Sequence, residues 1–180
     1  MGKSIDIPYV RRYSVLGAIM LGSIMGPIDA SIVNTVLPTI TQSFGVSISV
    51  AQLVPTIYLL TISSLLLFYG RLGDILGYKK VYLSGLGGFG AASGLCGLSP
   101  AIPWHIIFRA IQGLAAGMMM AVPYAIITAS FPPAERGKAL GINAISISAG
   151  LAIGPSLGGF IGGFTNIVRW SKYTKSNTVI

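Results

Sequence analysis

The chain has 180 residues, 53% of them apolar and only 9% charged, with a net charge of +8. An ordinary soluble domain carries about 25% charged residues, so a soluble globular fold is excluded. The lone cysteine, Cys96, rules out an internal disulfide and gives thiol or metal chemistry no support.

In chain order, Lys3, Arg11 and Arg12 precede a first apolar segment at 14–37. That segment is too long for a signal peptide and is interrupted by Pro27 and Asp29. Residues 38–49 contain no Lys or Arg, and a second apolar segment follows at 50–69. Arg71, Lys79 and Lys80 lie before the third, 81–98, which carries six glycines. Residues 99–103 are again free of basic side chains, and the fourth segment is 104–130. Arg136 and Lys138 introduce the fifth, 139–164.

Each segment is near or above the roughly 20 residues with which a helix crosses hydrocarbon. Open strands and loops leave backbone groups unsatisfied there, so the expectation is an all-α integral membrane bundle of five helices. A cytoplasmic stretch at 1–13 precedes it and an atypical tail at 165–180 follows. If all five segments cross, these basic groups fall on one side and the loops without Lys or Arg on the other, which places the N-terminus in the cytoplasm of a multi-pass cell-membrane protein. They orient the chain in lipid and call for no nucleic acid. Arg169, Lys172 and Lys175 break the rule, because they would emerge outside.

Asp29 and Arg109 are the two charged residues inside the segments. Each costs about 2.5–3.5 kcal/mol at a helix centre, so such residues are functional candidates. Counted at 1.5 Å per residue, Asp29 lies about 12 Å from the outer end of its segment and Arg109 about 8 Å. Neighbouring helices would therefore place the two in one cavity. His105, Arg109, Gln112, Gly113 and Ala116 recur at helical spacing as a polar, small stripe, opposite a greasy face of Ile107, Phe108, Ile111 and Leu114. Gly26-Pro27 adds a kink signal beside the acid. Met118, Met119 and Met120 are read as facing lipid.

GRLGDILGYKK, residues 70–80, reads as a tight cytoplasmic turn. Gly70, Gly73 and Gly77 allow close approach or positive φ, and Asp74 is positioned to accept from free helix N–H groups. In the fifth segment Gly150, Gly154, Gly158 and Gly162 repeat every four residues, a groove into which another helix can sink. Pro155 bends that contact.

These stretches resemble signatures of the major facilitator superfamily. GRLGDILGYKK looks like its cytoplasmic motif, with Gly70, Arg71, Asp74, Gly77 and Lys79 as gate residues, although Ile75 and Tyr78 replace commonly basic positions. IIFRAIQGLAAG is similar to its fourth-helix motif through Arg109, Gln112 and Gly113. IDASIVNTVLP resembles the first-helix motif of the fourteen-span drug:proton antiporter branch, which places Asp29, Asn34 and Pro38. Gly141, Gly150, Gly154-Pro155 and Gly158-Gly159 match the antiporter motif at every fixed position.

The resemblance runs from about residue 25 to residue 163. It implies the N-terminal portion of a proton-coupled multidrug or small-molecule efflux antiporter, not an enzyme, powered by a proton gradient without a bound cofactor. Asp29, Arg109, Gln112 and Asn34 would handle protons and a small amphiphilic substrate. The family implies a sixth helix and a second helical half, supplied otherwise by another membrane protein. Neither follows Gly163, so the expectation is a truncated chain that does not complete a transport cavity alone. The alternatives are a vestigial or accessory membrane protein without transport, and a metabolite facilitator of the same superfamily.

Overall fold

The structure, a computed structural model, describes the backbone of residues 9–176 and the side chains of residues 12–160. Seven helices follow one another: α1 (Tyr9–Phe44), α2 (Ile48–Ala51), α3 (Leu53–Leu76), α4 (Tyr78–Gly97), α5 (Ile102–Ala121), α6 (Pro123–Ser130) and α7 (Pro133–Ser176). Strands are absent among the described residues. Four stretches are long and apolar enough to cross a membrane: Arg12–Phe44, Ile48–Leu76, Ile102–Ser130 and Pro133–Phe160. The third expected segment forms α4, whose 20 residues span about 30 Å at 1.5 Å each. Lys79, Lys80 and its glycines dilute its apolar character.

Helix boundaries depart from the sequence reading in four places. The fourth segment is broken at Val122 into α5 and α6, because Pro123 has no N–H to donate and crowds the residue before it. The short α2 takes in the first two residues of the second segment, whose remainder begins at Leu53 in α3, after α1 has ended at Gly45 with φ 61°. The expected turn at 70–80 shrinks to one residue. Helix α3 runs on through Gly70, Arg71, Gly73 and Asp74 to Leu76, and Gly77, with φ 91° and ψ 130°, alone reverses direction into α4. A glycine costs a helix only about 1 kcal/mol, and continued i→i−4 bonding recovers it. The fifth expected segment starts at Pro133 and continues past residue 164 to Ser176, so the backbone shows no separate tail before residue 177. The surroundings of Gly162 and the side chains of Arg169, Lys172 and Lys175 lie outside what the structure describes.

Helix α1 packs mainly along α7, whereas α5 is flanked by α3 and α4. One buried cluster joins Tyr58, Ile62, Tyr82, Phe89, Ala116 and Met119; a second joins Leu16, Ile19, Ile127, Phe131 and Ala139. Leu59, Leu60, Leu67, Phe68, Ile145 and Phe160 remain exposed on the outside, as a lipid-facing surface requires. Of the methionine triplet only Met120 is exposed. Met119 is core, since consecutive residues on a helix point about 100° apart.

Candidate functional site

The buried face of α5 carries Arg109, Gln112, Gly113 and Ala116 inward and leaves Ile107, Ile111 and Leu114 outside. The stripe read from the sequence is therefore the face that meets the other helices. Arg109 Nη1 donates to Asp29 Oδ2 of α1 at 2.6 Å. Gln112 Nε2 donates to the other carboxylate oxygen at 3.2 Å and to Ser93 Oγ of α4 at 2.7 Å. The Cys96 thiol approaches Gln112 Oε1 at 3.8 Å. Gln112 thus ties three helices together beside a carboxylate whose side chain is 19% exposed, opposite an arginine side chain only 8% exposed.

Two close helix contacts frame this cluster. Gly113 brings α5 against α3, since a Cβ there would sit 2.8 Å from the Tyr58 carbonyl oxygen. On the far side α1 lies in the glycine groove of α7: Gly150, Gly154 and Gly158 are buried against Ile24, Pro27, Ser31, Ile32 and Thr35. A Cβ on Gly154 would fall 2.4 Å from Ser31 Cβ. At Gly150, Gly154 and Gly158 the four-residue repeat forms the expected groove, and α1 fills it.

The remaining members of that motif are elsewhere. Gly141 and Gly159 have open space where a side chain would be, and Pro155 is exposed. Asn34 is exposed on α1, five residues past Asp29 and so rotated about 140° from it, and does not join the cluster.

The gate residues also separate. Arg71 and Asp74 are three residues apart on α3 with a 3.9 Å ion pair, both well exposed. Asp74 does not cap α4, whose N-terminal Gly77 has no side-chain cap. It instead accepts a hydrogen bond from the Tyr78 hydroxyl across the turn. That bond, reinforced by the carboxylate charge, raises the Tyr78 phenol above its usual range. Gly70 has open space around it, and Lys79 is exposed.

Sequence reasoning missed Tyr58, Ser93 and the group around His105. The Tyr58 ring lies under the Arg109 guanidinium, 5.8 Å from centroid to Cζ, an arrangement that stabilises a cation away from water. His105 Nδ1 shares contacts with Ser99 Oγ at 2.8 Å and the Cys96 carbonyl at 3.2 Å, toward the end of α4. A tyrosine at a strongly apolar helix position was the available signal, since a buried hydroxyl usually seeks a partner.

A membrane bundle holding a charged, hydrogen-bonded cluster between helices has the architecture of a solute transporter. The profile of the Major Facilitator Superfamily matches residues 19–173, and the chain belongs to that family. Its long apolar helices make it a multi-pass membrane protein of that family. It is 36% identical over 151 residues to "Riboflavin transporter RibZ" of Clostridioides difficile (strain 630), covering 84% of this chain and 33% of that protein. The "Probable actinorhodin transporter" of Streptomyces coelicolor is 35% identical over 154 residues, 86% of this chain and 27% of its own length. "Multidrug transporter protein MdtP" of Bacillus subtilis (strain 168) is 34% identical over 151 residues, 84% and 28% respectively. The chain thus spans about a third or less of the length of these relatives.

Proposed function

We propose that this chain is the N-terminal portion of a proton-coupled exporter of small amphiphilic molecules in the cell membrane, with its N-terminus in the cytoplasm. The observation that carries the reading is the 2.6 Å contact between Arg109 and Asp29 inside the bundle. The carboxylate of Asp29 there faces a fixed cation, and it is the one group of the pair that can take up a proton. Taking up a proton cancels its attraction to Arg109, so proton occupancy and the packing of α1 against α5 change together. Gln112, bonded to both Asp29 and Ser93, carries that change to α4. The names of the relatives, which include a multidrug transporter, an actinorhodin transporter and a tetracenomycin C resistance and export protein, support export of small molecules. No cofactor is needed, because the proton gradient supplies the free energy.

A second helical half, or another membrane protein, completes the cavity opposite the cluster. Arg71, Asp74 and Lys79, beside the Gly77 reversal, face the cytoplasm and contact that partner during gating.

The test places the purified chain in lipid nanodiscs in weak buffer with two aromatic probes: ethidium, a cation without oxygen, and riboflavin, which carries carbonyl oxygens. Ethidium binding is expected to release protons from the wild type and none from Asp29→Asn. Binding without proton release refutes proton coupling. A metabolite facilitator is the second reading, favoured by the relative named as a riboflavin transporter. In vesicles it predicts riboflavin flux that ignores an imposed pH gradient.

A further inference from the structure

Two polar atoms of the cluster have no hydrogen-bond partner although both are buried: the Tyr58 hydroxyl and Arg109 Nε. Tyr58 is 3% exposed and Arg109 6%, so lipid or bulk water does not satisfy either. A buried donor left unmade costs about 1–3 kcal/mol. Two such groups on stacked side chains, the ring of one beneath the guanidinium of the other, mark a place built to receive an acceptor.

We propose that the Tyr58 hydroxyl and Arg109 Nε–H form a two-donor seat for a single carbonyl or phenolate-type oxygen of the cargo. This rests on the reading of the cluster as a cargo and proton site.

Several features fit that chemistry. Arg109 uses Nη1, not Nε, to hold Asp29, so the carboxylate and a cargo oxygen engage different edges of one guanidinium. Gln112 is fully occupied by Asp29, Ser93 and Cys96, which leaves Tyr58 as the neighbouring neutral donor. The positive charge of Arg109 favours an oxygen with negative charge or a strong dipole over a hydroxyl or amine. Opposite Tyr58 the backbone of α1 is glycine: a Cβ at Gly26 would lie 3.7 Å from the hydroxyl.

The experiment measures the affinity of the nanodisc-embedded chain for riboflavin and for ethidium, wild type against Tyr58→Phe. The variant keeps the ring over Arg109 and removes only the hydroxyl. The seat predicts riboflavin binding weakened about tenfold and ethidium binding unchanged within twofold, the latter also showing that the variant is folded. Equal affinity of variant and wild type for riboflavin, or equal weakening of both probes, overturns the seat. With ethidium-driven proton release intact, that result leaves the antiporter reading standing. Failure of both probes to bind the wild type overturns the seat and the cargo reading together. Proton release missing while Tyr58→Phe still discriminates between the probes supports the seat and removes only the proton coupling.

Discussion

Replacing Gly154 by alanine tests the packing that holds α1 in place. The new Cβ would stand 2.4 Å from Ser31 Cβ and 3.2 Å from the Ile28 carbonyl oxygen, where ordinary contact begins at 3.4 Å. The neighbour at 2.4 Å is a β-carbon fixed to the α1 backbone, so no rotamer change relieves it; the helices must part by about 1 Å. Overpacking of this kind costs about 1–3 kcal/mol, against roughly 1 kcal/mol of helix propensity that alanine gains over glycine in water. The expected net effect runs from neutral to a loss of about 2 kcal/mol, which leaves Gly154→Ala about 1–3 kcal/mol less stable than a variant that gains the propensity without the clash. Gly159→Ala, on the same helix but with open space at the Cβ position, is the control and should be neutral or slightly stabilising. Denaturant titration of helicity in mixed micelles compares the two. Ser31→Gly in the Gly154→Ala background removes the opposing carbon and should restore part of the loss, beyond what additivity allows. If Gly154→Ala proves as benign as Gly159→Ala, the close α1–α7 contact is wrong, and with it the position assigned to Asp29.

The other predictions concern the cluster and the turn. Arg109→Met leaves the Asp29 carboxylate unpaired between helices and should destabilise by about 3 kcal/mol in the same titration, while Asp29→Asn in that background recovers most of it; a double variant no better than the single one contradicts the pairing. Gln112→Leu removes the bonds to Asp29 and Ser93 and should cost about 1–3 kcal/mol, with no loss showing that the amide is not shared. Gly77→Ala forces a side chain onto φ 91°, so a cost of about 1–3 kcal/mol is expected, and an unchanged midpoint would mean the helices reverse elsewhere. Tyr78 ionises above the usual phenol range because it donates to Asp74. The hydroxyl bond is therefore fully present below about pH 10, the unfolded phenol value, and is lost as pH rises through the higher folded value. Ultraviolet titration of wild type minus Tyr78→Phe should show that late ionisation, and Asp74→Asn should move it down; a phenol titrating at its ordinary value would refute the contact.

Much of the bundle is legible in the sequence because hydrocarbon permits so few backbone solutions. The apolar lengths, the isolated Asp29 and Arg109, and the four-residue glycine repeat each follow from residue type and spacing. Matching depths even anticipate the ion pair. The turn was harder to read, because glycines at 70, 73 and 77 carry the same local signal while only Gly77 takes positive φ. Continued helix hydrogen bonding decides the other two. Tyr58 and Ser93 escaped for a different reason: each sits among apolar or small neighbours, and only the approach of α3 and α4 to α5 turns them toward Arg109 and Gln112.

The sequence by itself determined that this chain is a helical membrane protein with an acid and a base at similar depth, since charge, length and periodicity are properties of single segments. Only the tertiary structure decided which glycines meet a neighbour, that Asn34 lies off the cluster, and that a tyrosine shares the arginine. Those outcomes depend on helix rotation and on the distance between helix axes, which are set jointly by the packing partners and are carried by neither segment alone.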